Sequence, residues 1–272
     1  MLEAWIAALA GLLIGSFLNV CIYRWPNDLS VVRPRSFCPN CRQPIAWFDN
    51  IPLLSYALLR GRCRHCQCQI SIRYPLVELL TAASFFVAFR FLGPGAAAVK
   101  FSIFAAILIT LFFADLEERI LPDEFTIGGA LAGIVLAAFV PMNWGFVRLL
   151  LVSLRNERAI SVAESIFSAA FSAGTLWIVG ALYQKLRHRE GLGLGDVKMI
   201  AMIGAFTGLQ GALLTLIVGS LLGTVVGLCY IWMAGKDAST YELPFGTFLS
   251  VAAFGVGFYL ELALHTHGQF GR

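Results

Sequence analysis

Long apolar runs, each about long enough to cross a lipid bilayer, dominate this sequence. A window of about 19 residues finds roughly eight such runs, at approximately 4–23, 75–93, 97–115, 124–141, 160–183, 197–208, 210–234 and 246–265. Hydrophobic residues make up 58% of the chain and charged residues only 13%, which is far from the composition of a soluble domain. We therefore expect an all-α integral membrane protein with about eight transmembrane helices.

The basic residues are distributed unevenly between the connections of these helices. If the N-terminus lies outside, 14 of the 20 Lys and Arg residues fall on the inner side of the membrane. The positive-inside rule then predicts that both termini lie outside. The first run lacks a basic stretch before it and is followed by Arg24, so we expect a retained helix and not a signal peptide. No basic run suggests nucleic acid as a partner.

The only polar stretch long enough to form a small domain separates the first two helices. We therefore divide the chain into a first transmembrane helix (1–23), a cytoplasmic cysteine-rich insert (24–74) and a polytopic membrane domain (75–272). An insert this short cannot bury a core large enough to fold alone. It is expected to need additional stabilisation.

Two C-x-x-C pairs in the insert suggest the source of that stabilisation. Cys38 and Cys41 form the first pair, and Cys63 and Cys66 form the second. Four thiolates at such spacing are typical of a structural zinc site. A pair of disulfides or a set of free thiols is the alternative, which a reducing cytoplasm disfavours. Cys68 competes as a zinc ligand because it lies two residues beyond Cys66.

Acidic residues at the ends of the apolar runs are the candidates for chemistry. Asp115 closes one run, and Asp196 follows a glycine-rich turn and precedes another. Asp196 is either an N-cap or one member of a catalytic pair with Asp115. Glu78 lies about one turn inside the second run and is either paired with a base such as Arg73 or functional. Asp123 stands just before a helix, and capping is sufficient to explain it.

In number and order, these motifs resemble those of the bacterial prepilin peptidases, which process type IV pilins and type II secretion pseudopilins. The resemblance covers nearly the whole chain and rests on Gly15–Val20 with Arg24, the two C-x-x-C pairs, Asn50-Ile51-Pro52 with Ser55 and Arg60-Gly61, Arg73-Tyr74-Pro75 with Glu78, Asp115–Thr126, Gly193–Lys198 and Pro244-Phe245-Gly246.

The resemblance implies an aspartic membrane endopeptidase in the bacterial inner membrane, with Asp115 and Asp196 as its catalytic pair. It implies that the substrates are prepilins or pseudopilins, whose short basic leader is removed at the cytoplasmic face. Members that keep the cysteine insert also methylate the new N-terminal residue with S-adenosylmethionine, and this chain has all four cysteines. Asp49 stands where many relatives have Glu, so the methyl-transfer site is expected to differ in detail.

Two other classes of function compete with this interpretation. In a proton-coupled transporter, Glu78, Asp115 and Asp196 would form a relay across the membrane. Such transporters tend to show interrupted helices at matching positions in two halves, and this chain shows no such pair. A zinc-stabilised scaffold for a secretion machine would not explain why Asp115 and Asp196 are present.

Overall fold

The computed structural model describes residues 1–142, 145–150, 156–188, 193–234 and 243–270. The regular structure within these ranges is helical, apart from two isolated β-bridges. The α-helices along the described residues are α1 (Leu2–Arg24), α2 (Leu54–Leu58), α3 (Arg73–Phe91), α4 (Ala96–Glu118), α5 (Asp123–Ala137), α6 (Phe146–Leu150), α7 (Glu157–Arg187), α8 (Leu194–Ala234) and α9 (Phe245–Phe270). The predicted all-α membrane fold is confirmed.

Six of these helices are long and apolar enough to span a bilayer, and they are α1, α3, α4, α7, α8 and α9. The chain is therefore a multi-pass membrane protein. The predicted count of eight spans is not confirmed. The expected span at 124–141 corresponds to α5, a helix of 15 residues, and those at 197–208 and 210–234 belong to α8.

Two compact units make up the chain, Met1–Thr110 and Leu111–Arg272. In the first unit, α1 packs closely against α3. A side-chain carbon at Gly11 would lie 2.8 Å from Ala82 Cα, and one at Gly15 would lie 2.8 Å from Glu78 Cα. Only glycine permits this approach, which is how transmembrane helices gain packing contacts in lipid.

The second unit is organised around α8, against which α5, α7 and α9 pack. Gly208 interrupts α8 with φ 75° and ψ 176°, a conformation that is essentially restricted to glycine. The two expected runs on either side of residue 209 are therefore separated by a break in one long helical element. Before the break, Gly204 lies against α7, where an added side-chain carbon would be 2.8 Å from the Ser168 carbonyl oxygen.

Candidate active site and metal centre

Asp115 is buried in the last turn of α4. That helix is closed by Arg119, whose φ is 55° and whose N–H donates to the Asp115 carbonyl oxygen. A carboxylate near a helix C-terminus meets the negative end of the macrodipole, which is unfavourable. Its side chain instead lies at the start of α9. Asp115 Oδ2 accepts hydrogen bonds from the Thr247 backbone N–H at 2.6 Å and the Thr247 hydroxyl at 2.8 Å.

This arrangement places the Asp115 carboxylate at the positive end of the α9 dipole. Thr247 is the third residue of α9, and N–H groups in the first turn of a helix have no partner within the helix. An anion there gains both hydrogen bonds and a favourable dipole. The packing of α9 thus resolves the electrostatic conflict that the sequence alone posed at Asp115.

Asp196 lies in the first turn of α8, as its third residue, and is half-buried. Its carboxylate accepts a hydrogen bond from the Gly193 backbone N–H. A side chain at the third helical position that reaches back to the residue before the helix is one half of a capping box. Asp196 therefore contributes to the helix start, although it does so from inside the helix and not from the N-cap position.

The second unit brings Asp115 and Asp196 into one neighbourhood. The Leu121 side chain lies between Gly195, which precedes Asp196, and Gly246, which precedes Thr247. A side-chain carbon added at Gly195 would lie 3.2 Å from Leu121 Cδ1, and one added at Gly246 would lie 3.0 Å from Leu121 Cδ2. That point at Gly246 is also 3.2 Å from Asp115 Cγ. The Asp115 carboxylate is within electrostatic range of Asp196. A side-chain carbon at either glycine would crowd Leu121, and one at Gly246 would also crowd the Asp115 carboxyl group.

Asp123 makes a different contact from the predicted one. The N-cap of α5 is Pro122, without a side-chain cap, and Asp123 is already helical. Lys198 Nζ donates to both carboxylate oxygens of Asp123 at 2.7 and 2.9 Å. The capping prediction for Asp123 is therefore wrong. The reason is that Lys198 provides a charged donor from α8, which the sequence gave no means to position.

The cysteine pairs of the first unit form two turns of the same design. The Cys38 N–H donates to the Gln43 carbonyl and the Cys63 N–H to the Cys68 carbonyl. The residues after the second cysteine of each pair, Arg42 and Gln67, both have a φ near 55°. Each turn therefore presents its two sulfur atoms in the same way, as the repeat of C-x-x-C suggests.

The sulfur atoms of Cys38, Cys41, Cys63 and Cys66 lie within 4.8 Å of one another. A tetrahedral zinc ion with Zn–S bonds of about 2.3 Å requires sulfur atoms roughly 3.8 Å apart. The Cys38–Cys66 and Cys41–Cys63 sulfur distances are 3.9 and 4.0 Å. The cluster therefore has the geometry to hold a metal ion and is compatible with structural zinc.

Cys68 also lies near this cluster, since its sulfur is 3.6 Å from that of Cys38. It occupies the position in its turn that Gln43 occupies in the other, and it lies outside the set of four. The backbone N–H of Cys68 and the side-chain amide of Asn40 donate to the Cys66 sulfur and lower its pKa to about 6. Donors of this kind favour the thiolate form in which cysteine binds a metal.

Asp49 connects the middle of the insert to the second cysteine turn. Arg64, which lies between Cys63 and Cys66, donates from Nε to Asp49 Oδ2 at 2.7 Å and from Nη2 to Oδ1. The hydrogen bonds from Arg64 hold the pKa of the Asp49 carboxyl below its usual range. The bidentate geometry gives this exposed pair directional specificity.

Both parts of the chain match family profiles. Residues 9–91 match the bacterial peptidase A24 N-terminal domain, and residues 102–228 match the type IV leader peptidase family. The prepilin leader peptidase/N-methyltransferase of Aeromonas hydrophila is 34% identical over 270 residues, which cover 90% of this chain and 87% of that protein. This chain belongs to the type IV leader peptidase family.

Other members of the type IV leader peptidase family show comparable similarity. The prepilin leader peptidase/N-methyltransferase of Myxococcus xanthus is 40% identical over 232 residues, covering 85% of this chain and 64% of that protein. A type 4 prepilin-like proteins leader peptide-processing enzyme of Escherichia coli is 37% identical over 264 residues, covering 90% of each chain. No solved structure matches this chain. The prediction of a prepilin peptidase is confirmed, and no comparison supports the transporter alternative.

One residue of the candidate site, Thr247, was not anticipated from the sequence. Pro244 and Gly246 predicted an ordered turn at the start of the last helix, and that helix does begin at Phe245. A threonine in the first turn of a helix is common, and nothing in the local sequence connects it to Asp115. The two residues are 132 positions apart, so their contact depends on the packing of the helices.

Glu78 is buried in α3 and belongs to the first unit. Its Oε2 accepts a hydrogen bond from the Leu53 backbone N–H at 2.8 Å, and the Ser16 hydroxyl also bonds to the carboxylate. The Arg73 guanidinium lies over the Tyr74 ring, 4.8 Å from its centroid. Glu78 is therefore held by the insert and by α1, and its surroundings are distinct from those of the two aspartates.

Proposed function

We propose that this protein is an aspartic membrane endopeptidase that removes the short basic leader from prepilins or pseudopilins, with Asp115 and Asp196 as its catalytic pair. The observation that carries this proposal is that the Asp115 and Asp196 carboxylates lie within electrostatic range of each other in the second unit, where Leu121 packs against the glycines beside them. Two carboxylates that share a site of low dielectric cannot both ionise easily, so the pair holds one proton between them.

The chemistry follows from that shared proton. The ionised carboxylate takes a proton from a water molecule, whose oxygen bonds to the scissile carbonyl carbon, while the protonated carboxyl gives its proton to the carbonyl oxygen. Collapse of the tetrahedral intermediate then breaks the C–N bond: one of its two hydroxyl groups returns a proton to the pair, and the departing nitrogen receives a proton from the pair. Because Thr247 occupies Asp115 Oδ2, Oδ1 is the oxygen of Asp115 that is left to act on the water.

The orientation proposed for this enzyme follows from the asymmetry of its basic residues. With both termini outside the bacterial inner membrane and α5 counted as one of the eight predicted spans, the connections at Asp115 and Asp196 face the cytoplasm. The cysteine insert faces the same compartment, where reducing conditions favour thiolate ligands over disulfides. A leader that has not yet crossed the membrane would meet the active site there.

We further propose that the enzyme methylates the new N-terminal residue, as the names of its relatives suggest, and that the four cysteines bind a structural zinc. When bound, S-adenosylmethionine supplies the methyl group: the amine nitrogen gains the N–C bond and gives up a proton, and the S–C bond breaks to leave S-adenosylhomocysteine. The buried Glu78 carboxylate and the unpartnered Oδ1 of buried Asn19 in the first unit are acceptors that fit an amine-bearing ligand.

The test of the peptidase proposal is leader removal from a prepilin by the detergent-solubilised protein, followed on a gel. We expect Asp115→Asn and Asp196→Asn each to abolish cleavage, because an amide cannot carry the proton. An asparagine at 196 can still accept a hydrogen bond from the Gly193 N–H, so the substitution should lower the stability of the helix start by about 1 kcal/mol or less.

Asp123→Asn is the matched control for these two variants. Asp123 lies in the same unit but forms an exposed pair with Lys198, and exposed pairs contribute little to stability. This variant should keep most of its activity. Cleavage by both the Asp115 and the Asp196 variants at near the parent rate, with folded protein, would show that the peptidase proposal is wrong.

A further inference from the structure

The seam between α1 and α3 consists of three close contacts on successive turns. Gly11 faces Ala82, Gly15 faces Glu78, and Asn19 Nδ2 donates to the Tyr74 carbonyl at 3.0 Å. The contacts advance by four residues on α1 as they retreat by four on α3, so the helices run antiparallel with one contact per turn. Asn19 and Glu78 therefore lie one turn apart along the same seam.

Glu78 is 7% exposed and is held from two sides, by Ser16 of α1 and by Leu53 of the insert. Leu53 has φ 59° and ψ −46°, which is an unfavourable backbone conformation for a leucine. Its N–H donates directly to the Glu78 carboxylate at 2.8 Å. The insert is thus folded so that a strained residue positions this acid.

Asn19 is 2% exposed, and its Oδ1 has no hydrogen-bond partner. Its Nδ2 donates to the Gly15 and Tyr74 carbonyl oxygens. These contacts fix the orientation of the side-chain amide, because the reverse orientation would place Oδ1, itself an acceptor, against these two carbonyl oxygens. Burial of an acceptor without a donor costs the full free energy of removing that acceptor from water. Such a group in a native structure calls for a ligand that donates to it.

We propose that Asn19 and Glu78 form a binding site for an α-ammonium group. The inference rests on the methyl-transfer part of the proposed function. The site offers a carboxylate and an amide carbonyl one turn apart, both of them acceptors, and a positively charged N–H donor complements such a set. Two reactants of methyl transfer carry this group: the peptide that has just gained a free N-terminus, and the amino-acid portion of the methyl donor.

The location also connects the site to the cysteine cluster. Leu53 lies between the two cysteine turns, in a segment that is fixed by the Ser55 hydroxyl, which donates to the Phe48 carbonyl and accepts from the Ile51 N–H. Zinc binding supplies the folding energy of such an insert. Loss of the metal would therefore release the Leu53 N–H from Glu78 and disturb the ammonium site.

Equilibrium binding to the full-length protein in lipid nanodiscs tests the proposal without relying on turnover. One arm measures the binding of a peptide that carries the mature pilin N-terminus and compares it with the binding of the same peptide after N-acetylation. The other arm compares S-adenosylhomocysteine with its des-amino analogue. We expect the parent protein to prefer the amine-bearing ligand in one arm by about tenfold or more, as for a charge-assisted contact, and the responding arm identifies the source of the amine.

Glu78→Gln should reduce that preference to roughly twofold or less, because variant and ligand change remove the same interaction. Asn19→Leu removes the free acceptor and should also reduce the preference for the amine. Glu3→Gln changes an exposed acid on α1, the helix that carries Asn19, and should leave the preference unchanged. Zinc content and leader cleavage report whether each variant is folded. No preference in the parent protein, or an undiminished preference in folded Glu78→Gln, overturns the proposal.

These readouts separate the two proposals. A parent protein that prefers the amine but does not cleave prepilin would contradict the proposed peptidase while leaving the ammonium site in place. A parent protein that cleaves and methylates but shows no preference in either arm would overturn the ammonium site alone.

Discussion

At the scale of single residues, the environment of Asp115 determines how the site can work. A carboxylate in the last turn of α4 is electrostatically misplaced on its own helix, and two donors from Thr247 compensate for this. Hydrogen bonds to a charged group each contribute about 1.5–3 kcal/mol. The hydroxyl and the backbone N–H of Thr247 together are therefore sufficient to fix which oxygen of Asp115 would face the water in the proposed mechanism.

We predict that Thr247→Val slows leader cleavage by about tenfold or more in kcat/KM, because valine keeps the shape and the N–H but loses one bond to the charged group. Thr247→Ser should restore most of the rate. Ser250→Ala is the matched control, since that hydroxyl is buried one turn further along α9 and donates to the Gly246 carbonyl. Parent-like kinetics of Thr247→Val would show that its hydroxyl has no role in the site.

At the scale of elements, the start of α8 and the break within it have separate causes. The start depends on Gly193 and Asp196, whose backbone-to-carboxylate hydrogen bond supports the first turn. The break depends on Gly208, whose backbone conformation other residues cannot adopt without strain. Gly195 is explained by its close contact with Leu121, whereas Gly208 is explained by its backbone conformation alone.

We predict that Gly208→Ala lowers the free energy of unfolding by about 1–3 kcal/mol, the cost of placing a side chain in that region of φ and ψ. The space itself is open, because an added carbon would meet only Met142 Sδ at 3.7 Å. A thermal shift measurement in detergent should therefore show a lower Tm. Gly128→Ala, in a helix with nothing within 4 Å, should leave Tm unchanged or raise it; equal Tm values for the two variants would contradict the explanation.

At the scale of the whole molecule, the two candidate sites lie in different units. The four cysteines belong to Met1–Thr110, and both aspartates belong to Leu111–Arg272. The two family profiles also match these parts separately, at 9–91 and 102–228. This division is a physical basis for two activities that can be lost independently.

We predict that Cys63→Ser removes zinc and reduces methylation of the mature N-terminus more than it reduces leader cleavage, because metal binding supplies folding energy to the first unit only. Cys68→Ser should retain zinc and both activities, since its sulfur lies outside the set of four. Metal analysis and mass spectrometry of the product provide the measurements. Loss of cleavage and methylation in equal proportion would instead favour one shared site.

The orientation predicted from the basic residues can be tested with reporter fusions. A fusion after Asn50 should report the cytoplasm, and one after Gly95, in the connection between α3 and α4, should report the periplasm, because the chain crosses the membrane once between them. A periplasmic signal from the Asn50 fusion would reverse the proposed topology.

The sequence by itself determined the membrane class, the helical fold, the family and the residues to examine. These depend on local properties: an apolar run long enough to cross the bilayer satisfies its own backbone as a helix, and the spacing within a C-x-x-C pair is fixed over four residues. The count of spans did not follow from the sequence, because the apolar run at 124–141 contains a helix of only 15 residues, α5, which is short for a transmembrane helix.

The tertiary structure decided which groups surround each of these residues. The donors of Asp115 come from a residue 132 positions away, the partner of Asp123 comes from α8, and the N–H on Glu78 comes from the insert. Sequence spacing could not predict such contacts, because the position of one helix against another depends on the packing of all their side chains at once. For the same reason, the sequence could not predict that the Asn19 side-chain oxygen lacks a partner, because its surroundings depend on how α1 packs against α3.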